Sequence, residues 1–375
     1  MFLFAILFTI LAAGILSMWV PSRWPLTLFQ LAILLLAAVR IVSRRGVGFN
    51  AGAAAVAGIA LWGAVQYAAG WTVDPFRTSE EILHFTVAVA AFALAAELDS
   101  AGRDRFLAAA VFFAAGIGLV AIVTAFLSPA DDRVFGPFVY RNQLAAFMEC
   151  LLPAALLRAF RHRAWVFTAC AGLMFASVVA AGSRTGTVLV TAELIVVPLL
   201  AARQGVVSLR ALTAAGAGIA ASVAALTLAV GWQPLWNRFQ EPNPFGLRWD
   251  LLQSSWQMFL ARPLTGWGLG AWPIVYPGYA RYDDGTFVNQ AHNDWAQWAV
   301  EGGIPVFSLM LFLAVRATVP ACRRVWSTGM VAVLLHAMVD YPFQQRPQLA
   351  AFFFVMLSLA ASDRDTQATL TTRPA

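Results

Sequence analysis

Apolar runs long enough to cross a lipid bilayer follow one another along almost the whole chain, and this removes most folds from consideration before any motif is read. A spanning helix needs about 17–25 mostly apolar residues. Windows of roughly that length fall near 2–20, 25–42, 51–70, 82–98, 106–127, 143–158, 164–181, 186–201, 209–230, 304–319, 326–341 and 347–361. They predict about twelve transmembrane helices. Hydrophobic residues fill 60% of the 375 positions and charged residues 12%, a balance that excludes a soluble domain of this length. The first run begins at Phe2 with no basic segment before it, and a second follows after a short turn. It therefore reads as a retained helix and not a cleaved leader. The expected fold class is an all-α polytopic membrane protein.

Every basic side chain other than histidine is arginine, so the formal charge of +6 is read from where the arginines fall. With the N-terminus inside, one side collects Arg40, Arg44, Arg45, Arg103, Arg105, Arg158, Arg161, Arg163, Arg203, Arg210, Arg316, Arg323, Arg324, Arg364 and Arg373. The short loops of the other side hold Arg23, Arg77, Arg133, Arg141, Arg184 and Arg346. This bias follows the positive-inside rule with both termini cytoplasmic, and it accounts for the basic composition without a nucleic-acid partner. Cys150, Cys170 and Cys322 lie in or beside predicted spans with no metal-binding spacing, and read as small packing residues.

The expected organisation is a block of nine helices over 1–230, a long outer loop over 231–303, and three helices with a short tail over 304–375. A loop of this length is usually functional or disordered. Its many Trp and Tyr residues argue for order. Trp249, Leu252, Trp256 and Phe259 recur at helical spacing, the pattern of a helix lying in the membrane interface. The stretch Gly266-Trp267-Gly268-Leu269-Gly270 reads as a flexible turn. It lacks the strand and helix that a phosphate-binding glycine loop needs.

Polar chemistry gathers at the outer ends of the spans. Arg184 lies in the turn Gly182-Ser183-Arg184-Thr185-Gly186, Arg248 opens the interfacial helix, and His292 begins a predicted helix running to about Glu301. Guanidinium groups present planar, paired donors that match phosphate oxygens, and a loop histidine can take the proton of a hydroxyl. Helical geometry sets Asn293, Gln297 and Glu301 on one stripe and His292 on another, giving Glu301 a helix-orienting role. His336 and Asp340, one helical turn apart, form either a buried structural pair or part of a site. Glu149 and Glu193, deep in spans, are expected to face the bundle interior. His84 lies near Glu80 and Glu81, and His162 on an arginine-rich cytoplasmic loop reads as solvated. Taken alone, the arginines equally fit anchors on lipid phosphates, and His292 a residue of the interface.

The segment Ala291-His292-Asn293-Asp294-Trp295-Ala296-Gln297-Trp298-Ala299-Val300-Glu301-Gly302-Gly303 resembles the His-Asn-x-x-x-Gln-x-x-x-Glu-x-Gly signature of the bacterial O-antigen ligase and polymerase family. Phe135 to Ala146, with Arg141-Asn142 at its centre, is similar to a second element of that family. It carries Tyr140 and Gln143 where Asn and His are usual. Ser183-Arg184-Thr185-Gly186 resembles the family's Ser-Arg-Gly-Gly turn, and His336-Ala337-Met338-Val339-Asp340-Tyr341 its C-terminal His-Ser-Leu-Val-Asp-Phe element. The four occur in family order.

The resemblance implies a GT-C-like fold and transfer of a glycan from undecaprenyl pyrophosphate, at the periplasmic face of the inner membrane, onto lipid A core or a second lipid-linked glycan. It also implies pyrophosphate binding by Arg184 and Arg248, a catalytic His292, and support from Arg141, Asn142, Asn293, Gln297, Glu301, His336 and Asp340. No cofactor or metal is expected. The acidic pairs Asp131-Asp132 and Asp283-Asp284 read as solvated turns, and the first outer loop offers Arg23 and no carboxylate. A lipid-linked-sugar flippase or other transporter is the rival reading. Its site would lie near the bilayer midplane, usually between two repeated halves, and the chain shows no such repeat.

Overall fold

The computed structural model describes residues 2–43, 48–127, 135–162, 165–241, 246–281, 285 and 287–361. Asp131, Asp132, Asp283, Asp284, Arg44, Arg45, Arg133, Arg163, Arg364 and Arg373 lie outside the described residues, as do the side chains of His162 and Cys322. The described chain is helical, with one isolated two-residue bridge between Phe135 and Phe138.

The helices are α1 (Phe2–Leu16), α2 (Trp24–Val42), α3 (Ala51–Ala68), α4 (Pro75–Ala96), α5 (Ser100–Leu127), α6 (Arg141–His162), α7 (Trp165–Ala181) and α8 (Arg184–Arg203). They continue with α9 (Leu209–Val230), α10 (Gln233–Phe239), α11 (Gly246–Ala261), α12 (Trp272–Val275), α13 (Asp294–Thr318), α14 (Thr328–His336) and α15 (Pro347–Ala361). Among the described residues eight helices are long and apolar enough to cross a membrane, and four shorter apolar helices lie at the other expected spans. The chain is an all-α polytopic membrane protein.

Helix starts are set by capping side chains. The side-chain oxygen of Asn50 accepts from the backbone of Gly52 and Ala53, that of Asp74 from Arg77, that of Ser183 from Gly186, and that of Asn293 from Ala296. Asp74 followed by Pro75 begins α4 several residues before the apolar window at 82, because a capped first turn tolerates the charged run to Glu81. Helix α6 is the centre of the bundle, buried along its spanning length, with α5, α7, α8 and α14 packed on it. At 22 residues it is about 33 Å long. Arg141 therefore stands at one end of the bundle, and Arg158, bonded to Asp104, near the other.

The helical segment α13 is interrupted at Gly303, whose backbone at φ 65° and ψ −166° is not helical, so two helices meet there at a kink. One feature differs from the sequence expectation. The stretch 266–270 is not a flexible turn. The backbone of Trp267 donates to Val300 O at 3.1 Å and that of Gly268 to Glu301 O at 3.0 Å, while Val73 N donates to Trp267 O at 3.1 Å. Gln66 of α3 donates to Thr265 O and Glu301 O, and its Oε1 accepts from Leu269 N. Gly266, at φ +66°, is required there, because a Cβ would sit 2.2 Å from Glu301 O. The carbonyls freed at the α13 bend are thus satisfied by this loop.

Helix α11 forms where expected and buries Leu251, Ser254, Ser255 and Met258. Trp249 and Trp256 remain 59% and 56% exposed, so the aromatic stripe faces outward, as an interfacial helix requires.

Candidate active site

The four sequence elements meet at one end of the bundle, around the carboxylate of Asp340. Helix α14 stops at His336, and the chain turns so that Asp340 is buried just beyond it. Its Oδ2 accepts from Arg248 Nη2 at 2.7 Å and from Asn142 Nδ2, and its Oδ1 from Tyr341 N at 2.9 Å. Asn142 Oδ1 in turn accepts from the Ser183 hydroxyl at 2.8 Å. One carboxylate therefore ties together the starts of α6 and α11, the residue that caps α8, and the turn after α14.

His292 completes the group. It is not inside the helix, as the sequence reading had it, but precedes the capping Asn293, in the left-handed conformation at φ 50°. That conformation is uncommon for a residue with a side chain and is held here by the surroundings. Asn293 Nδ2 donates to Met338 O at 2.7 Å, Asp294 N to Ala337 O at 2.8 Å, and Trp295 Nε1 to Leu334 O at 3.1 Å, fastening the segment to α14 and its turn. The imidazole packs edge-on to Tyr341 with centroids 4.8 Å apart. Its Nδ1 lies 3.7 Å from Asp340 Oδ1, an electrostatic contact longer than a hydrogen bond. Burial pushes the Asp340 carboxyl up, but His292 and Arg248 outweigh it and hold the group below the usual carboxylate range. Burial and the adjacent Asp340 raise the Tyr341 hydroxyl, which keeps its proton.

These residues line a cavity of about 770 Å³ that also takes in Arg141, Arg238 and Tyr140. Three guanidinium groups and one carboxylate line it, and Arg238 also pairs with Glu241 at 3.7 Å. Burial, together with the neighbouring Arg141 and Arg184, pushes the Arg238 guanidinium below its ordinary value, a sign of crowded positive charge. Arg238 was not singled out in the sequence. It lies on the seven-residue α10, and the only signal was its position in the long loop.

Arg184 stands behind this wall and does not line the cavity. Its Nη1 donates to Arg238 O at 2.8 Å and pairs with Glu241 at 2.9 Å, and Arg238 Nη1 donates to Gly182 O at 2.8 Å. The serine-arginine turn thus positions Arg238.

Gln297 and Glu301 act from within. Gln297 Oε1 accepts from Ala291 N at 3.1 Å, fixing the residue before His292. Its Nε2 donates to Glu301 Oε1 at 2.9 Å, which also accepts from Trp272 N at 3.3 Å. His336 corrects the expectation of a His336–Asp340 pair. Its ring is fully buried and bonds Glu149 of α6 at 2.8 Å, because α14 turns that face toward α6 while the chain after its end carries Asp340 back to the cavity. Glu193 is buried, as expected. His84 pairs with Glu81 at 3.2 Å. Among the described residues no group of three or more His, Cys, Asp or Glu is placed to hold a metal ion.

The fold and this cavity define a polytopic membrane protein with a cationic, histidine-bearing site at one end of its helix bundle. Residues 169–311 match the family model described as O-antigen ligase, a stretch that contains Arg184, Arg238, Arg248 and His292. That part of the chain is therefore similar to the O-antigen ligase family. No curated protein sequence matches the chain.

Proposed function

We propose that the chain transfers a glycan from undecaprenyl pyrophosphate to an acceptor hydroxyl at the periplasmic face of the inner membrane, with lipid A core as acceptor. The observation that carries this reading is the charge of the cavity. Arg141, Arg238 and Arg248 line the cavity, with Asp340 the one carboxylate in its lining. A pyrophosphate esterified at both ends carries two negative charges, and arginine matches its oxygens in pairs.

In the proposed reaction the acceptor oxygen attacks the anomeric carbon of the donor sugar, and the bond from that carbon to the pyrophosphate breaks. The electron pair leaves with undecaprenyl pyrophosphate, whose developing charge the arginines stabilise. The acceptor proton passes to His292. With Nδ1 turned toward Asp340, Nε2 is the nitrogen available to the hydroxyl, and Asp340 stabilises the imidazolium once it forms. The arginines supply the positive charge that a metal brings elsewhere, so transfer by the purified protein should survive excess chelator. Loss of transfer on chelation, restored by magnesium, refutes that part.

The acceptor is tested by deleting the protein and examining the lipopolysaccharide. Bare core with polymer accumulating on its lipid carrier supports ligation. Core bearing a single repeat means that the same chemistry serves polymerisation. Transfer in detergent, where no gradient exists, separates both from transport.

A further inference from the structure

Beside the cationic cavity, sharing Tyr140 and Asn289 with it, lies a second cleft of about 340 Å³ of a different chemistry. Its walls carry the amides Asn289, Gln290, Gln297, Gln344 and Gln345, with Arg346 at one side. Amide side chains offer a donor and an acceptor from one planar group, which suits the vicinal hydroxyls of a sugar. Several of these groups are held ready. Gln345 sits at φ 65°, a strained conformation for a residue with a side chain. Gln290 Oε1 is buried and accepts no hydrogen bond. The Arg346 guanidinium, half-buried, finds no carboxylate among the described residues, whereas Glu80 and Glu81 in the same cleft are taken by Arg23 and His84. Tyr140, in T-shaped contact with Tyr341 at 5.7 Å, stands where the two spaces join and offers a ring against which a sugar can pack.

The cleft also has a second opening. Through Glu80, Glu81, Gln344 and Gln345 it adjoins a groove between α2, α4 and α15 whose inner wall is apolar, with Phe85 and Phe354 in edge contact. A polar cleft next to the pyrophosphate cavity at one side and an apolar groove at the other fits a glycan that arrives still attached to its lipid.

We propose that this amide-lined cleft is the acceptor subsite. It would hold the terminal sugars of a lipid-borne glycan through Gln290, Gln344 and Gln345, with Arg346 engaging an anionic substituent or ring hydroxyls. The proposal rests on the transferase reading above for the direction of transfer, and not for the binding itself.

The test uses the full-length protein in lipid nanodiscs, with Gln290→Leu and Arg346→Gln as independent variants. Rough lipopolysaccharide, bearing core alone, and a lipid-linked single repeat serve as the two acceptor probes, and undecaprenyl pyrophosphate as the donor-side probe. Both variants should raise the KM for the acceptor about tenfold, leaving kcat, the KM for the donor and undecaprenyl pyrophosphate binding unchanged. The probe that shows the change identifies which lipid carries the acceptor glycan. Unchanged acceptor KM in both variants, or an equal rise for the donor, overturns the proposal.

Should a variant fold poorly, the wild-type protein still decides. Acceptor probe alone should slow amide exchange in 287–291 and 343–346 and not around Arg141 or Arg238, and protection confined to the arginine side overturns the subsite. Acceptor bound at the cleft without any transfer refutes the transferase reading alone. Transfer indifferent to both variants refutes the subsite alone.

Discussion

Replacing Asp340 with asparagine tests the centre of the site, because the side chain keeps its shape and loses only charge and one acceptor. Both carboxylate oxygens accept hydrogen bonds, Oδ2 from Arg248 and Asn142 and Oδ1 from Tyr341 N. An asparagine must therefore turn an NH2 group toward other donors whichever way it lies. At an effective dielectric constant of about 20, charges 2.7 Å apart attract by about 6 kcal/mol, and the cost of removing both from water cancels much of this. With Asp340 5% and Arg248 24% exposed, a net loss of about 2–3 kcal/mol is expected, the range of a charge-assisted hydrogen bond. If the same interaction steadies the imidazolium of His292 during transfer, kcat falls roughly 30- to 150-fold.

The assay is glycan transfer by purified protein in a double-mutant cycle with His292→Ala. Asp340 acts through His292 if its replacement costs little once the imidazole is gone. Fully additive losses, or near-normal activity of Asp340→Asn at normal folded yield, refute the reasoning. The pH dependence has a definite sign. The folded Asp340 carboxyl titrates below its ordinary value of about 3.9. Its contribution to stability is therefore fully present above that value and is lost as the pH falls through the lower, folded one. Thermal melts should show the wild-type advantage over Asp340→Asn at pH 7 and pH 5 alike, and its loss only in stronger acid.

His292→Ala should leave folding intact and remove most transfer, since the ring lines a cavity and opens no hole in the core; a stable variant with near-normal turnover refutes its role as proton acceptor. Arg238→Gln should raise the KM for the donor at least tenfold, and Arg184→Ala should do the same by releasing the Arg238 segment; equal donor KM in both variants and wild type would show that this wall does not bind the pyrophosphate. Gly266→Ala should destabilise the protein by about 2–4 kcal/mol, combining a left-handed backbone with a Cβ pressed against Glu301 O, and an unchanged melting midpoint would mean that the loop shifts freely.

Much of the architecture was determined by the sequence alone. Burying the backbone in a bilayer forces helices, so each apolar run marks a helix whatever its neighbours are, and every predicted span contains an observed helix. The helix at 246–261 and the separation of Glu301 from His292 were legible for the same local reasons, amphipathic spacing and stripe geometry. Helix starts were less so, because α4 and α13 begin with polar turns stabilised by caps, which hydropathy does not register.

Contacts between groups distant in the chain were set by helix packing. Asn142 meets Asp340 across 198 positions, His336 finds Glu149 across 187, and Arg238 takes the place at the cavity that the motif pattern gave to Arg184. Spacing along a helix ranks neighbours on one stripe, and for His336 it pointed to Asp340. The end of α14 at His336 and the packing of that helix on α6 reversed the choice. A side chain's partner depends on how helices are rotated against one another, and that rotation is set by the summed packing of the bundle, which no local segment contains.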